Sequence, residues 1–192
     1  MLIVVRHGRT AANAAGRLLG RADPPLDDVG VAQAAAVAAR LADLGVVRVV
    51  SSPLLRARDT AAAIAAVAGV EPEVDDRWVE VDYGVLDGTP LAEVPAELWA
   101  RWRDEPEFAP EAGESLGAVA RRVASACDDL WPEASEAHVV AVSHVSPVKA
   151  AAGWALGVGH EVTWRTFVAP GSIMRIAAGP VGPVLHAFGE RP

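Results

Sequence analysis

The sequence predicts a layered α/β fold, an α/β/α sandwich in which helices cover both faces of a mostly parallel central sheet. Short runs of apolar, largely β-branched residues alternate with longer alanine-rich stretches, which is the pattern of such sandwiches. The early apolar runs are continuous, as expected of parallel strands that are buried on both faces. The 192 residues contain no repeat and no linker, so we expect a single domain over residues 1–192.

Each predicted element rests on a local pattern. The strands are the apolar runs at Leu2–Val5, Val46–Val50, His138–Val142, Ile173–Ile176 and Val184–Phe188. The helices are the stretches with helical periodicity, at about residues 30–44, 54–68, 91–103, 115–131 and 147–156. The second helix carries a start signal, because Ser52 stands where an N-cap is expected and Pro53 would occupy the first helical position.

Composition argues against several classes of function. Seventeen basic and 25 acidic residues give a formal net charge of −8, which disfavours binding to nucleic acid or to an anionic membrane surface. The N-terminal apolar run LIVV is too short for a signal peptide, and the longest apolar run, AAAIAAVAGV, is half the length of a membrane span, so we expect a cytoplasmic protein. The single cysteine, Cys127, has no partner for an internal disulfide. The oligomeric state is left open by the sequence.

Three predicted strands end in polar residues that suit an anion. The first ends in Arg6-His7-Gly8, the second in Ser51-Ser52 with Arg56 one helical turn further on, and the third in Ser143-His144. Ligands of open α/β sheets bind beyond the carboxyl ends of the strands, where helices present their N-termini. Two arginines, two histidines and helix N-termini in one crevice match the oxygens of a phosphoryl group.

Each of these residues has a plainer interpretation when taken alone. A lone histidine is more often structural than catalytic, and an arginine within a helix is usually solvated. It is their joint position at equivalent strand ends that favours a site. No HExxH motif or His/Cys cluster is present, so a metal centre is not expected, and GxSxG and the P-loop motif are also missing.

The motifs together resemble the histidine phosphatase superfamily, in the branch of cofactor-dependent phosphoglycerate mutase. They run in family order over about residues 3–150. The stretches that carry the resemblance are RHGRTAAN, GRLLGRADPPLDDVGVAQA, SSPLLRARDTA, EVDYGVLDG, GESL and VSHVSPVK. The resemblance implies a phosphoglycerate mutase-like fold and a metabolite phosphate as the ligand.

Site residues follow from the resemblance position by position. His7 matches the nucleophilic histidine of the family. The positions that match its phosphate pocket are Arg6, Asn13, Arg56 and His144. Glu80 matches the proton donor. From spacing alone Glu80 is not distinguishable from Asp75, Asp76 or Asp82, and only the resemblance selects it.

Two positions depart from the family pattern. Arg9 stands where glutamate or glutamine is frequent, and we expect it to add positive charge at the rim of the pocket. Val145 replaces a glycine that commonly follows the second histidine, which puts a close backbone approach at that position in question. Neither change removes a group assigned to catalysis.

These parts predict phosphoryl transfer through a phosphohistidine on His7, with arginines and a protonated His144 stabilising the transferred group. No metal and no organic cofactor is required. The favoured function is a phosphomonoesterase for a small phosphorylated metabolite. A phosphoglycerate mutase-type phosphotransferase is the alternative, and a non-catalytic phosphate-binding regulatory module is a third, less favoured because such a module needs no proton donor.

The stretch 85–114 is expected to form a lid that decides the substrate. It is rich in acidic residues, prolines and aromatics, unlike the longer basic segment of the mutases. Trp99 and Trp102 are three residues apart, a spacing that favours packing of a helix onto its domain over lining of a pocket for the leaving group.

Overall fold

Strand and helix bounds largely agree with the sequence prediction. The computed structural model describes all 192 residues. The strands are β1 Leu2–Arg6, β2 Val46–Ser51, β3 Pro72–Val74, β4 His138–Ser143, β5 Ile173–Gly179 and β6 Gly182–Glu190. The helices are α1 Ala11–Ala14, α2 Asp28–Leu41, α3 Leu55–Ala68, α4 Ala96–Asp104, α5 Leu116–Ala134, α6 Val145–Leu156 and α7 Val162–Arg165. The predicted layered α/β fold is confirmed.

The six strands form one sheet in the order β3-β2-β4-β1-β5-β6. The four strands from β3 to β1 are parallel, whereas β5 runs antiparallel to both β1 and β6. In β1 the side chains alternate between the faces. Leu2 and Val4 pack with α5 and α6, and Ile3 and Val5 pack with α2 and α3. Because helices cover both faces, all five β1 residues are buried and the run reads as continuously apolar up to Arg6.

Several predicted boundaries move for identifiable reasons. The helix expected at 91–103 begins at Ala96, because Pro95 keeps Val94 out of the helical region. The helix expected from 54 begins at Leu55 with Leu54 as its N-cap, so the prediction of Ser52 as N-cap is wrong. The helix expected from 147 begins two residues earlier, at Val145, so that Pro147 lies in its first turn. A proline is tolerated there because the N–H groups of the first turn have no partner within the helix, so the missing N–H costs no hydrogen bond.

Three short elements were not predicted. They are β3, α1 and α7, of three or four residues each, and none is long enough to establish a periodic pattern. The turn between β1 and α1 is held against α2 by two glycines. A Cβ on Gly8 would lie 2.3 Å from the carbonyl oxygen of Gly30, and one on Gly30 would lie 2.0 Å from that of Arg9. This close backbone approach fixes the loop that carries His7.

A third, smaller core lies beside the sheet rather than within the sandwich. Leu18, Val94 and Trp102 are its buried members, and partly buried residues from α4 and the following loop pack around them. This cluster supports the segment 85–114. No helix of the protein is long and apolar enough to span a membrane.

Candidate active site

The two histidines of the candidate site meet at the carboxyl ends of neighbouring strands. β1 and β4 pair in parallel with Arg6 opposite Ser143, so the residues that follow each strand lie side by side. The His7 N–H donates to the Ser143 carbonyl (2.9 Å), and the centroids of the His7 and His144 rings are 4.9 Å apart. Both side chains are buried. The sheet thereby brings together the histidines that the sequence predicts to meet.

A short hydrogen bond fixes the His7 ring and its tautomer. Its Nδ1 lies 2.6 Å from the Gly8 carbonyl oxygen, which only accepts, so Nδ1 carries the proton. The other nitrogen, Nε2, is left with a lone pair in the neutral ring. Gly8 is held in turn, because its N–H donates to the Thr60 hydroxyl (3.1 Å). The chain therefore holds the His7 ring in one orientation, with Nε2 free of a proton.

Ser52 fixes the second ring. The His144 Nε2 lies 2.7 Å from the Ser52 hydroxyl oxygen, which also accepts the Leu54 N–H at 3.3 Å. The hydroxyl proton of Ser52 has no acceptor other than Nε2, so the serine donates and the neutral His144 ring carries its proton on Nδ1. That Nδ1 is buried and has no partner within the protein.

Burial and charge keep both imidazoles neutral. Burial lowers the pKa of His7 well below its usual range, and the charges of Arg6 and Arg56 lower it further, against the hydrogen bond to Gly8. Burial likewise lowers the pKa of His144, with His7 and the two arginines adding to it. The neutral His7 expected of a nucleophile is favoured, whereas a protonated His144 is disfavoured among the protein's own groups.

Glu80 lies where a helix begins beside the histidines. Its carboxylate accepts the backbone N–H groups of Val145 (3.0 Å), Ser146 (3.1 Å) and Val81 (2.8 Å), the first two from the start of α6. These donors fix the position of the Glu80 side chain at the start of α6. The segment that contains Glu80 is clamped by Arg122, which donates to the main-chain carbonyls of Arg77 (2.6 Å) and Glu80 (3.3 Å).

The structure distinguishes Glu80 from Asp75, Asp76 and Asp82, the other three carboxylates that spacing alone allows as the proton donor. Asp75 pairs with Arg77 at 2.7 Å, and Asp82 accepts the Gly84 N–H at 2.8 Å. Neither of them, nor Asp76, lines the cavity described below, whereas Glu80 does. Of these four carboxyl groups, only that of Glu80 lines the cavity that His7 also lines.

Three of the four residues predicted for the phosphate pocket, all except His144, differ in how many of their donors are already bound within the protein. The Asn13 side-chain oxygen accepts the Thr10 N–H (3.1 Å) and hydroxyl (3.0 Å), which leaves its amide N–H groups as donors. Arg6 donates one Nη to the Val168 carbonyl at 2.7 Å. Arg56 is fully buried and donates to the carbonyls of Ala22 (2.8 Å) and Gly20 (2.9 Å). The Nε atoms of both arginines have no partner.

A cavity of about 440 Å³ opens onto these groups. Of the predicted site residues, four line it directly: Arg6, His7, Asn13 and Glu80. Arg56 and His144 are not among its lining residues, but the charge of Arg56 lowers the pKa of His7, and the His144 ring lies 4.9 Å from the His7 ring. Leu91, Trp99 and Trp102 also line the cavity, so part of the segment 85–114 faces the site. Trp99 and Trp102 pack against each other and also line the cavity, whereas the sequence presents packing and lining as alternatives.

The structure shows what Arg9 and Val145, the two departures from the family pattern, contact. Arg9 does not line the cavity. Its Nε pairs with Asp27 at 2.8 Å, so the expectation of added positive charge at the rim is wrong. The backbone N–H of Val145 still donates to the Glu80 carboxylate, although valine has a side chain where the family commonly has glycine. The close backbone approach is therefore retained at this position.

Several residues of the site were missed by sequence reasoning. Ser52, which the sequence predicts to be a helix cap, instead orients His144. Lys149, Trp164 and Phe167 line the cavity from α6 and from the segment before β5. Lys149 stands within the quoted motif VSPVK, so a signal was available. The segment 160–170 has no motif and no periodicity that would mark it.

No group of three or more His, Cys, Asp and Glu side chains is arranged to hold a metal ion. The arrangement comprises a neutral nucleophilic nitrogen, an adjacent carboxylate and buried N–H donors around one cavity. These features define an α/β protein equipped for phosphoryl transfer.

Comparison with known proteins assigns the family. The model of the histidine phosphatase superfamily (branch 1) matches residues 2–191, so the chain belongs to this superfamily. The bifunctional protein Rv2228c of Mycobacterium tuberculosis is 39% identical over 168 residues, which cover 85% of this chain but 46% of that protein. The chain thus spans about half the length of this relative.

Two further similar proteins carry names for different activities within the family. A probable phosphoglycerate mutase GpmB of Yersinia pestis is 34% identical over 146 residues, 73% of this chain and 67% of that protein. The mycobacterial glucosyl-3-phosphoglycerate phosphatase Rv2419c, solved as a complex with VO3, is 29% identical with a TM-score of 0.87 over 98% of each chain. Sequence and fold therefore agree on the family, while the names divide between mutase and phosphatase.

The lowered pKa values of the two histidines predict how stability depends on pH. Both rings are neutral in the folded state, whereas in the unfolded chain each binds a proton below about pH 6.5. The free energy of unfolding should therefore fall as the pH drops below that value, by up to about 1.4 kcal/mol per pH unit for each histidine.

The variant His144→Gln should show a slope shallower by about that amount below pH 6.5 in urea unfolding. Above about pH 7.5 both rings are neutral in either state, so there the variant and the natural protein should run parallel, which is the control. Equal slopes at acid pH would contradict a neutral, buried His144.

Proposed function

We propose that the protein is a phosphomonoesterase that hydrolyses a small phosphorylated metabolite through a phosphohistidine on His7. The observation that carries the proposal is the oriented His7 ring, whose Nδ1 donates to the Gly8 carbonyl at 2.6 Å and whose Nε2 is left as a nucleophile. Three buried N–H donors nearby, on Arg6, Arg56 and His144, have no partner in the protein. Such donors favour an anionic ligand, because a buried donor left unpaired is unfavourable.

The reaction proceeds in two displacements. In the first, Nε2 of His7 forms a bond to phosphorus while the ester P–O bond breaks, and protonated Glu80 gives its proton to the leaving oxygen. In the second, water attacks phosphorus and gives a proton to the Glu80 carboxylate. The P–N bond then breaks and inorganic phosphate leaves. The phosphoryl charge is stabilised by Arg6, Arg56, Asn13 and the Nδ1–H of His144. No metal takes part.

Several features support this assignment of roles. Glu80 and His7 line the same cavity, and the carboxylate is anchored by three main-chain donors that orient it. The relative Rv2419c is named a phosphatase. The second candidate is a phosphoglycerate mutase-type phosphotransferase, which the similarity to the protein named GpmB favours. The segment 85–114 would close over the substrate in either case.

One assay separates the candidates and tests the role of metal. With an exhaustive chelator present, we expect p-nitrophenyl phosphate to be hydrolysed at an undiminished rate. We expect 3-phosphoglycerate to give little 2-phosphoglycerate, even when bisphosphoglycerate is supplied. Loss of hydrolysis that a divalent ion restores would refute the metal-free mechanism, and rapid interconversion of the phosphoglycerates would establish the mutase.

The role of Glu80 predicts a dependence on the leaving group. Glu80→Gln removes the transferable proton, so hydrolysis of an alkyl phosphate should slow by roughly 10²–10⁴-fold. p-Nitrophenyl phosphate has an acidic phenol that needs less protonation, and it should lose less. The matched control is Asp82→Asn, two residues away and outside the cavity, which should leave both rates near those of the natural protein.

Loss of the anchoring hydrogen bonds alone would slow both substrates alike. Equal losses on the two substrates would therefore count against Glu80 as the proton donor, even if the variant were fully folded.

A further inference from the structure

The cavity beyond His7 and Glu80 has an aromatic wall that the proposed chemistry does not use. Trp99 and Trp102 come from α4, and Trp164 and Phe167 from α7 and the loop that follows it. Leu91 lies on the same wall. Six tryptophans occur in the whole chain, so three of them converge on this one cavity. Such convergence favours a specific ligand surface over general packing.

The rings of this wall hold one another in place. Trp102 is 2% exposed and forms the back of the wall, with its ring centroid 5.4 Å from that of Trp99. Trp99 meets Trp164 in an edge-to-face contact at 6.2 Å and 83°. Phe167 is 74% exposed, although it lines the cavity. A large aromatic side chain left open to water at the mouth of a cavity is suited to covering a bound apolar group.

The cavity offers little to a leaving group that carries its own charges. Besides Arg6, its only cationic side chains are Arg17 and Lys149. Arg17 already donates to the Gly88 carbonyl at 2.8 Å, and Lys149 to the Thr163 carbonyl at 2.7 Å. Each of these cations is therefore partly engaged by a main-chain carbonyl, whereas an apolar ring needs no polar partner.

We propose that this aromatic wall is the leaving-group site and that the substrate is a phosphate monoester of an alcohol bearing an uncharged aromatic ring. The inference rests on the proposed phosphomonoesterase function and adds the substrate class to it. Trp99 and Phe167 are the specificity-determining residues. An aromatic ring is favoured over an aliphatic one of equal size, because its faces and edges match the offset and edge-to-face contacts that the wall presents.

A series of esters tests the proposal. Ethyl, 2-cyclohexylethyl and 2-phenylethyl phosphate are all esters of primary alcohols with similar leaving-group basicity, so differences in kcat/KM report contacts with the ring. The phenyl ester should exceed the ethyl ester by about 10- to 100-fold and the cyclohexyl ester by about 2- to 10-fold. It should also exceed 3-phosphoglycerate. Equal values for phenyl and cyclohexyl esters, or a preference for 3-phosphoglycerate, would overturn the proposal.

Two variants locate the effect. Trp99→Leu and Phe167→Ala should each reduce the phenyl-to-ethyl ratio of kcat/KM, and the exposed position of Phe167 makes its variant the safer for folding. Trp131→Leu is the matched control. Trp131 packs against Trp154 outside the cavity, so that variant should keep the ratio of the natural protein. A ratio unchanged in both cavity variants would contradict the assignment.

Binding separates this inference from the proposed function. If p-nitrophenyl phosphate and all of these esters resist hydrolysis, the phosphomonoesterase proposal fails. The non-hydrolysable pair 2-phenylethylphosphonate and ethylphosphonate then still tests the aromatic wall by calorimetry. Tighter binding of the phenyl compound, lost in Phe167→Ala, would support the site, and equal affinities would refute it.

Discussion

The parallel pairing of β1 with β4 is the interaction on which the site depends. Its register places Arg6 opposite Ser143, so that the next residue on each strand is a histidine and the two rings lie 4.9 Å apart. His144 is at the same time the N-cap of α6, whose first N–H groups bind the Glu80 carboxylate. One strand pair therefore positions the proposed nucleophile, its neighbouring imidazole and the proposed proton donor. A shift of the register by a single residue would separate all three.

The site gathers positive charge in a protein whose net charge is −8. The binding of a small anion depends on nearby charges rather than on the net charge of the protein. Here two buried arginines act at close range in a region of low dielectric. Burial lowers the pKa of Arg6 to about 10, with Glu80 acting in the opposite direction, so the guanidinium stays charged at neutral pH. Because the same burial keeps both imidazoles neutral, the arginines carry the positive charge and Nε2 of His7 keeps its lone pair.

Sequence reasoning succeeds where a strong local pattern coincides with the topology. The apolar runs of β1, β2 and β4 predict buried parallel strands, and their polar ends then predict a common site at one edge of the sheet. Short elements such as β3 and α1 are not predicted from the sequence, because tertiary contacts rather than a local pattern determine them. Ser52 was misassigned since a serine before a proline is a good helix cap, and only the fold reveals that His144 competes for its hydroxyl. Arg9 was misplaced because the sequence does not disclose its partner, Asp27.

The central claim is that the phosphoryl group is transferred to His7, and trapping the intermediate tests it most directly. A phosphohistidine is a phosphoramidate, labile in acid and stable in base, which is the reverse of a phosphoserine. Rapid quench into alkali with a labelled ester should leave the label on the peptide that contains LIVVRHG. His7→Ala should abolish both the label and turnover, and His144→Ala should retain some of each, since it removes a charge-stabilising group and not the nucleophile. An acid-stable label on Ser51, Ser52 or Ser143 would contradict the account.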